Sequence, residues 1–525
     1  MRCPIARWAE ERPGDAALCT ADRIWTYAEM QEAVTATARA LRAEGVGRES
    51  TVGVRMRRRP ETVVLLWALW RTGAVAAPLS TRLPPDGLRE TVRRMSIRPV
   101  VTDDPAVLGA LSEPELVREA GDIVRWNADG SAASAAGGKA AEWLLDRDAT
   151  LVFTSGSTGT PKAALHTLRN HVASAAGSNA NIQVNAGDRW LLSLPLYHVG
   201  GLAILFRCAL GGAGVALPDP EAALADSIEA CRATHLSLVA TQARRLLDRG
   251  ATGRGGGESK EKGGALPGRV RAVLIGGGPV PATVLDRAVD AGWPVYTTYG
   301  CTEMASQVTT TPPDASRADL ATAGRPLPHR TLRIDHDPDA EGETRGDDDA
   351  GSGEILLGGD TLFRGYVEPD GEGGVRLDPA RDEDGWYPSG DRGRIDAEGR
   401  LCVVGRVDRL FISGGENIQP EEIEAALEQV DGIDRAVVVP VTDAEYGQRP
   451  VAFVRAADWN PDDWGPRLAA RLPSFKIPDA FEPLPAQAVE GRMKVDRHAL
   501  RDRAEARHGT GSSSASSSDR PAPEA

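Results

Sequence analysis

One nine-residue stretch limits what this chain can fold into more than any other. The apolar run 151–153 has strand character and empties into Thr154, Ser155, Gly156, Ser157, Thr158, Gly159, Thr160, Pro161 and Lys162. Glycines let successive backbone N–H groups converge on an anion, and the hydroxyls add further donors. A lysine at the end supplies a point charge for phosphate oxygens. That lysine carries weight because the chain has only six, at positions 139, 162, 260, 262, 476 and 494, against fifty-five arginines. The spacing is not that of a Walker A loop, since Gly156 and Gly159 stand too close and no glycine precedes Lys162. A flexible Ser/Gly linker is the competing reading. Against it, a strand leads in, a helical stretch (166–176) is expected to follow, and Pro-Lys is not linker chemistry.

With 525 residues the chain is too long for a single hydrophobic core, so one large and one small domain are expected. Strand-like runs (52–54, 74–78) alternate with helix-like ones (61–70) up to about residue 330, the pattern of parallel sheets covered by helices. The pattern changes near residue 400. A strand at 401–404 is followed by the polar turn 405–409, and a new apolar run begins at 410–412. Beyond it, 420–428 reads as a helix opening on Pro and acids, and 436–441 and 451–454 read as strands. The expected fold class is α/β. A large N-terminal domain of β-sheets layered with helices (1–404) is followed by a hinge (405–409) and a small, mobile α+β domain (410–505). The tail 506–525, rich in Ser, Pro and Ala, has almost nothing to bury and is expected to be disordered. Segments 250–264 and 335–352 read as solvated surface loops.

Composition excludes several function classes. A net charge of −14 argues against nucleic acid as the main partner, because neutralising phosphates needs a basic face. The longest apolar run, 62–70, is half of what a membrane span requires and ends at Arg71. No apolar stretch follows a basic start at the N-terminus, so neither a signal peptide nor a membrane span is expected and the protein is read as cytoplasmic. The six cysteines are scattered without a Cys-x-x-Cys pair, which favours buried free thiols over disulfides or zinc. A homo-oligomer is compatible with all of this.

Six more segments follow in order. Residues 274–279 form an apolar run ending in Gly276, Gly277 and Gly278. Then come Tyr299-Gly300-Cys301-Thr302-Glu303, Ser389-Gly390-Asp391, Gly405-Arg406-Val407-Asp408, Gly414-Gly415-Glu416-Asn417-Ile418 and Gly491-Arg492-Met493-Lys494. With the 154–162 loop, this series resembles the adenylate-forming superfamily of acyl-CoA synthetases, luciferases and peptide-synthetase adenylation domains, over about residues 10–505. The resemblance implies binding of ATP and AMP by Thr154–Gly159 and Lys162. It implies an adenine border at Gly276–Gly278, with the Tyr299 ring against adenine. Thr302 would lie near the α-phosphate, Glu303 on Mg²⁺, Asp391 and Arg406 on the ribose, and Lys494 would be the catalytic lysine. Asp408 would be the hinge, and Gly414, Gly415 and Glu416 would line the tunnel for coenzyme A. An aromatic plate and a hard carboxylate for magnesium are what ATP demands. The chain departs from the pattern at Arg409, where many relatives carry Asp, and in its added acidic and Gly-rich loops.

Residues 194–202 resemble the segment that lines the acid pocket of that superfamily, with His198 beside the carboxylate and Gly201 at its edge. Arg207 follows alone in an apolar run (203–210). A charge there is costly unless paired, and a substrate with a second carboxylate would pair it; a salt-bridged structural arginine is the equal alternative. With Ser306 and the wording of 234–242, this part of the chain is most similar to the o-succinylbenzoate–CoA ligases, whose acid is an aromatic keto-dicarboxylate. A fatty-acyl or aryl-CoA ligase, and more distantly a non-catalytic nucleotide-binding protein, are the alternatives. The small-molecule partners implied are a carboxylic acid, ATP and coenzyme A.

Overall fold

The expected alternation resolves into two large sheets. The computed structural model describes residues 1–111, 117–125, 142–154, 162–251, 264–335, 351–370, 374–413, 416–469, 471–485 and 495–509. The expected site residues Ser155, Gly156, Ser157, Thr158, Gly159, Gly414, Gly415 and Lys494 lie outside these residues, as do most of segments 250–264 and 335–352 and the tail beyond 509. One sheet runs from Arg325–Pro326 through Ser306–Thr310, Val295–Cys301, Ala272–Ile275, His235–Leu238, Arg189–Leu191, Gly214–Ala216 and Ala16–Cys19 to Ile24–Thr26. Its middle is parallel, and its edges turn antiparallel. The other runs from Val375–Asp378 through Gly365–Pro369, Lys162–Thr167, Asp148–Thr154, Val75–Pro78, Thr51–Arg55 and Val100–Thr102 to Val117–Glu119.

Two helices share the core of both sheets. Pro60–Thr72 starts on proline and stops at Gly73, whose φ of 96° ends it in the left-handed region. It is buried from Thr62 through Trp70, the signature of a helix covered on all sides. Val199–Gly211 is likewise apolar except for Arg207. Trp67, Trp70 and Phe206 join them, with ring centroids 4.7–5.5 Å apart. Each such ring contributes about 1.5–3 kcal/mol by leaving water. The same core takes Val52 and Val152 from one sheet and Trp190 and Leu274 from the other.

The helical stretch expected at 166–176 begins later. Lys162–Thr167 is a strand, antiparallel to Asp148–Thr154 with Thr154 opposite Lys162. The helix is Leu168–Ile182, started by a capping box between Thr167 and Asn170. Ala163, Ala164, Leu165 and His166 are all buried, and such a run cannot be told from helix by periodicity. Thr154 therefore ends one strand and Lys162 opens its hydrogen-bonded neighbour.

A four-stranded antiparallel sheet, Thr331–Asp335, Gly353–Gly358, Tyr387–Ile395 and Leu401–Arg406, carries the chain onward. The short pair Phe411–Ser413 and Glu416–Ile418 follows. A smaller unit packs helix Pro420–Glu428 on strands Ile433–Asp443, Gly447–Ala456 and Ala480–Pro483. The final helix, Arg497–His508, runs past residue 505, where the sequence ended the small domain, because Leu500 and Ala504 bury against Val439 and Val451. Among the described residues no helix is long and apolar enough to cross a membrane. All six cysteines are free thiols, and burial pushes Cys19 and Cys208 up to about 12.

Candidate active site

The site is built on the hairpin between Val295–Cys301 and Ser306–Thr310. Gly300 permits it: a Cβ there would lie 2.0 Å from the Ser306 carbonyl oxygen. Between the strands Thr302–Met304 makes one tight 3-10 turn, and Ala305 and Ser306 follow at φ 52° and 122°. Non-glycine residues at such angles store strain, which clusters at functional sites. The turn is held from below, where His166 Nε2 lies 2.7 Å from the Thr302 carbonyl oxygen and the Phe363 N–H donates to that of Glu303 at 2.7 Å. Burial lowers the His166 pKa to about 4, so at neutral pH it is an uncharged donor to that carbonyl.

Glu303 is 8% exposed. The Tyr366 hydroxyl donates to its Oε1 at 2.5 Å and lies 2.9 Å from the Tyr387 hydroxyl. Burial and then the charge of Glu303 raise both phenols, so they stay protonated. Lys162 Nζ stands 4.8 Å from the centre of the Tyr366 ring. Among the described residues no cationic side chain pairs with Glu303, which leaves its charge for a cation from outside. One carboxylate completed by phosphate oxygens and water is a usual magnesium environment, and Glu303 fits it.

At the other end of the hairpin the Tyr299 hydroxyl donates to Asp391 Oδ2 at 2.7 Å. Asp391 faces Arg406 across paired strands, with Arg406 Nη1 3.3 Å from Asp391 Oδ1. Gly390 has φ 69°, and a Cβ there would meet the Arg406 guanidinium at 2.7 Å. Arg406 Nε also donates to Asp408 at 3.1 Å. Gly276 closes the neighbouring strand, its N–H bonded to the Leu238 carbonyl and its Cα facing Thr298. Gly277 and Gly278 are exposed beyond it.

His198 precedes helix Val199–Gly211, half-buried, its ring centroid 4.7 Å from that of Tyr197. Gly201 is there for backbone approach, since a Cβ would lie 2.2 Å from the Pro195 oxygen. Arg207 is 1% exposed. It donates to the Ser306 hydroxyl at 3.2 Å and sits 5.0 Å from the Trp190 ring centre, while its Nε has no hydrogen-bond partner among the described residues. Burial lowers it to about 10. Arg330 is buried nearby and spends its donors on the carbonyl oxygens of Gln307, Pro328 and Ser174. Burial, then the charge of Arg207, lowers it to about 9. Neither guanidinium forms a salt bridge with a described carboxylate.

The structure thus gathers Lys162, Tyr299, Thr302, Glu303, Asp391 and Arg406 around one hairpin, with Thr154 paired to Lys162, and Arg207 meets Ser306 at that hairpin's return strand. Asp408 joins through Arg406. Glu416 is placed only as backbone in its short strand. Sequence reading missed Tyr366, Tyr387, His166 and Arg330. The tyrosines had a weak signal, as the chain has only seven; the partners of His166 and Arg330 are set by packing.

Residues 5–367 match the AMP-binding enzyme family, and residues 422–488 match the AMP-binding enzyme C-terminal domain. The chain is 32% identical to a 2-succinylbenzoate–CoA ligase of Salmonella typhimurium, over 95% of this chain and 96% of that one. It is 33% identical to a 2-succinylbenzoate–CoA ligase of Bacillus cereus, over 90% and 93%. The fold is similar to an o-succinylbenzoate CoA synthetase from Bacillus subtilis in complex with its acyl-adenylate intermediate (TM-score 0.78, 29% identity, 92% of this chain and 94% of that one). It is also similar to the Bacillus subtilis enzyme in complex with ATP and magnesium ion (TM-score 0.77, 29% identity, 92% and 96%). With both family matches falling on the units described above, this protein belongs to the AMP-binding enzyme family.

Proposed function

We propose that the protein is an ATP-dependent, AMP-forming acid–CoA ligase that converts 2-succinylbenzoate to 2-succinylbenzoyl-CoA, a step of menaquinone biosynthesis in the cytoplasm. The observation that carries this reading is the hairpin of residues 299–306. It bonds Asp391 at one end, sits against Lys162 through Tyr366, and meets the buried Arg207 at Ser306. The relatives' names support the same acid.

In the first half-reaction the acid's carboxylate attacks the α-phosphorus of ATP and pyrophosphate leaves. Two anions meet, so positive charge must be in place as the transition state forms. Lys162 and the hydroxyls and amides of 154–159 meet the phosphates, and Lys494 bridges the acid's oxygen and the α-phosphate. Magnesium held by Glu303 would neutralise phosphate charge. Asp391, fixed by Tyr299 and Arg406, accepts from the ribose hydroxyls, and the ring of Tyr299 lies along adenine, bordered by Gly276–Gly278. His198 stands at the carboxylate being activated, and Ser306 with Arg207 takes the second one. In the second half-reaction the thiol of coenzyme A attacks the acyl carbon and AMP leaves. The small domain turns about Asp408, which withdraws Lys494 and brings Gly414, Gly415 and Glu416 to the thiol.

A thioester assay with ATP, magnesium and coenzyme A tests this. Turnover of o-succinylbenzoate with little on decanoate or benzoate is expected. Activity on decanoate without o-succinylbenzoate would overturn the substrate, and absence of pyrophosphate exchange with every acid would overturn the ligase reading.

A further inference from the structure

Glu303 and Lys162 carry opposite charges a short distance apart, and one side chain stands between them. Tyr366 lies in strand Gly365–Pro369, opposite Ala164 of the strand that Lys162 opens. Its hydroxyl donates to Glu303 Oε1 at 2.5 Å, and its ring face takes the Lys162 ammonium at 4.8 Å. The ring is itself clamped: Phe363 stands edge-on to it at 4.9 Å, and Tyr387 closes the far side of its hydroxyl at 2.9 Å. Phe363 also ties the Glu303 backbone at 2.7 Å, so carboxylate and ring are held by the same neighbour.

We propose that Tyr366 is a positioning residue for nucleotide activation: its hydroxyl sets Glu303 for the divalent cation, and its ring sets Lys162 for the phosphates while keeping the two apart. The inference rests on the roles of Glu303 and Lys162 given above. A direct ion pair between them would satisfy both and cancel the charge each must offer to ATP. A phenol avoids this in two ways. It donates to one carboxylate oxygen without bringing positive charge, so the group keeps its full charge for metal. Its negative ring face holds an ammonium without neutralising it. Both charges therefore stay whole and fixed in place.

The test uses the full-length protein and Mn²⁺ as the probe, its binding read by electron paramagnetic resonance with a non-hydrolysable ATP analogue. Tyr366→Phe keeps the ring and removes the donor. Its Mn²⁺ affinity should fall by ~10–100-fold, the usual loss for a partner of a metal-holding carboxylate, with metal-free nucleotide affinity unchanged. Tyr366→Leu removes the ring as well and should also weaken metal-free nucleotide binding. Wild-type Mn²⁺ affinity in Tyr366→Phe overturns the proposal. Glu303→Gln separates the two readings. If it loses Mn²⁺ while Tyr366→Phe does not, only the positioning role falls; if it binds Mn²⁺ normally, the metal role of Glu303 falls and this proposal with it. Should thermal melting show Tyr366→Phe unfolded, Tyr387→Phe takes its place: weakened Mn²⁺ binding supports the chain of phenols, and unchanged binding overturns it.

Discussion

Replacing Arg207 by Met should separate what this side chain does for the fold from what it does for the substrate. In the free protein the buried guanidinium is expensive. Burial holds it down to about 10, and at ~1.4 kcal/mol per tenfold that represents about 3 kcal/mol against the charged form. The sign is fixed, because neutral pH lies below both the folded and the ordinary value, so the group is charged in either state and the whole cost is present. Against it stand one hydrogen bond to Ser306, about 1.5–3 kcal/mol for a charged donor, and the Trp190 face, about 0.5–2 kcal/mol. The terms nearly cancel. Met fills much of the same volume, so Arg207→Met should leave the thermal midpoint within a few degrees of wild type, or raise it. Substrate binding is different. Removing one partner of a buried charge pair costs about 2–5 kcal/mol, which lowers kcat/KM for o-succinylbenzoate by ~30–5000-fold. Benzoate, with nothing to offer Arg207, should lose little. The assay is steady-state thioester formation with both acids, alongside thermal unfolding. An unchanged kcat/KM for o-succinylbenzoate refutes the role, and equal losses on both acids with a lowered midpoint would make Arg207 structural.

Other outcomes follow from the same reasoning. Lys494→Ala should abolish adenylate formation, read by pyrophosphate exchange, and spare thioester formation from supplied acyl-adenylate; equal loss of both steps contradicts its role. Burial, before any other cause, lowers His166 and His235 to about 4 and holds His171 well below its ordinary value. For such depressed bases the stability is whole above the ordinary 6.5 and is lost as pH falls toward 4, because the unfolded chain takes protons that the fold refuses. The three together can steepen the loss by about 4 kcal/mol per pH unit, and an unfolding midpoint that stays level from pH 7 to 5 would contradict this. Gly201→Ala puts a Cβ 2.2 Å from the Pro195 oxygen, so it should cost about 1–3 kcal/mol and raise KM for the acid; an unaltered melting curve would count against the close approach.

Much of this was legible in the residues alone. Thr154–Lys162, Tyr299–Glu303, Ser389–Asp391 and Gly405–Asp408 are local statements: a few consecutive residues already contain the glycines, hydroxyls and charges that a phosphate or ribose needs. The buried helix Pro60–Thr72 was legible for the same reason, since proline, glycine and an unbroken apolar run mark its ends and its burial. Partners distant in sequence were not legible. Tyr299 meets Asp391 from 92 residues away and Glu303 meets Tyr366 from 63, and no periodicity encodes those distances. Only the stacking of sheets brings them within hydrogen-bond reach. The same holds for 162–167, where a run buried on both faces reads alike as helix or strand until a neighbouring strand pairs with it. Sequence determined which chemical groups this protein owns and their order along the chain. Tertiary structure decided which of them share a charge, because hydrogen bonds and desolvation act through space over a few ångströms and take no account of chain separation.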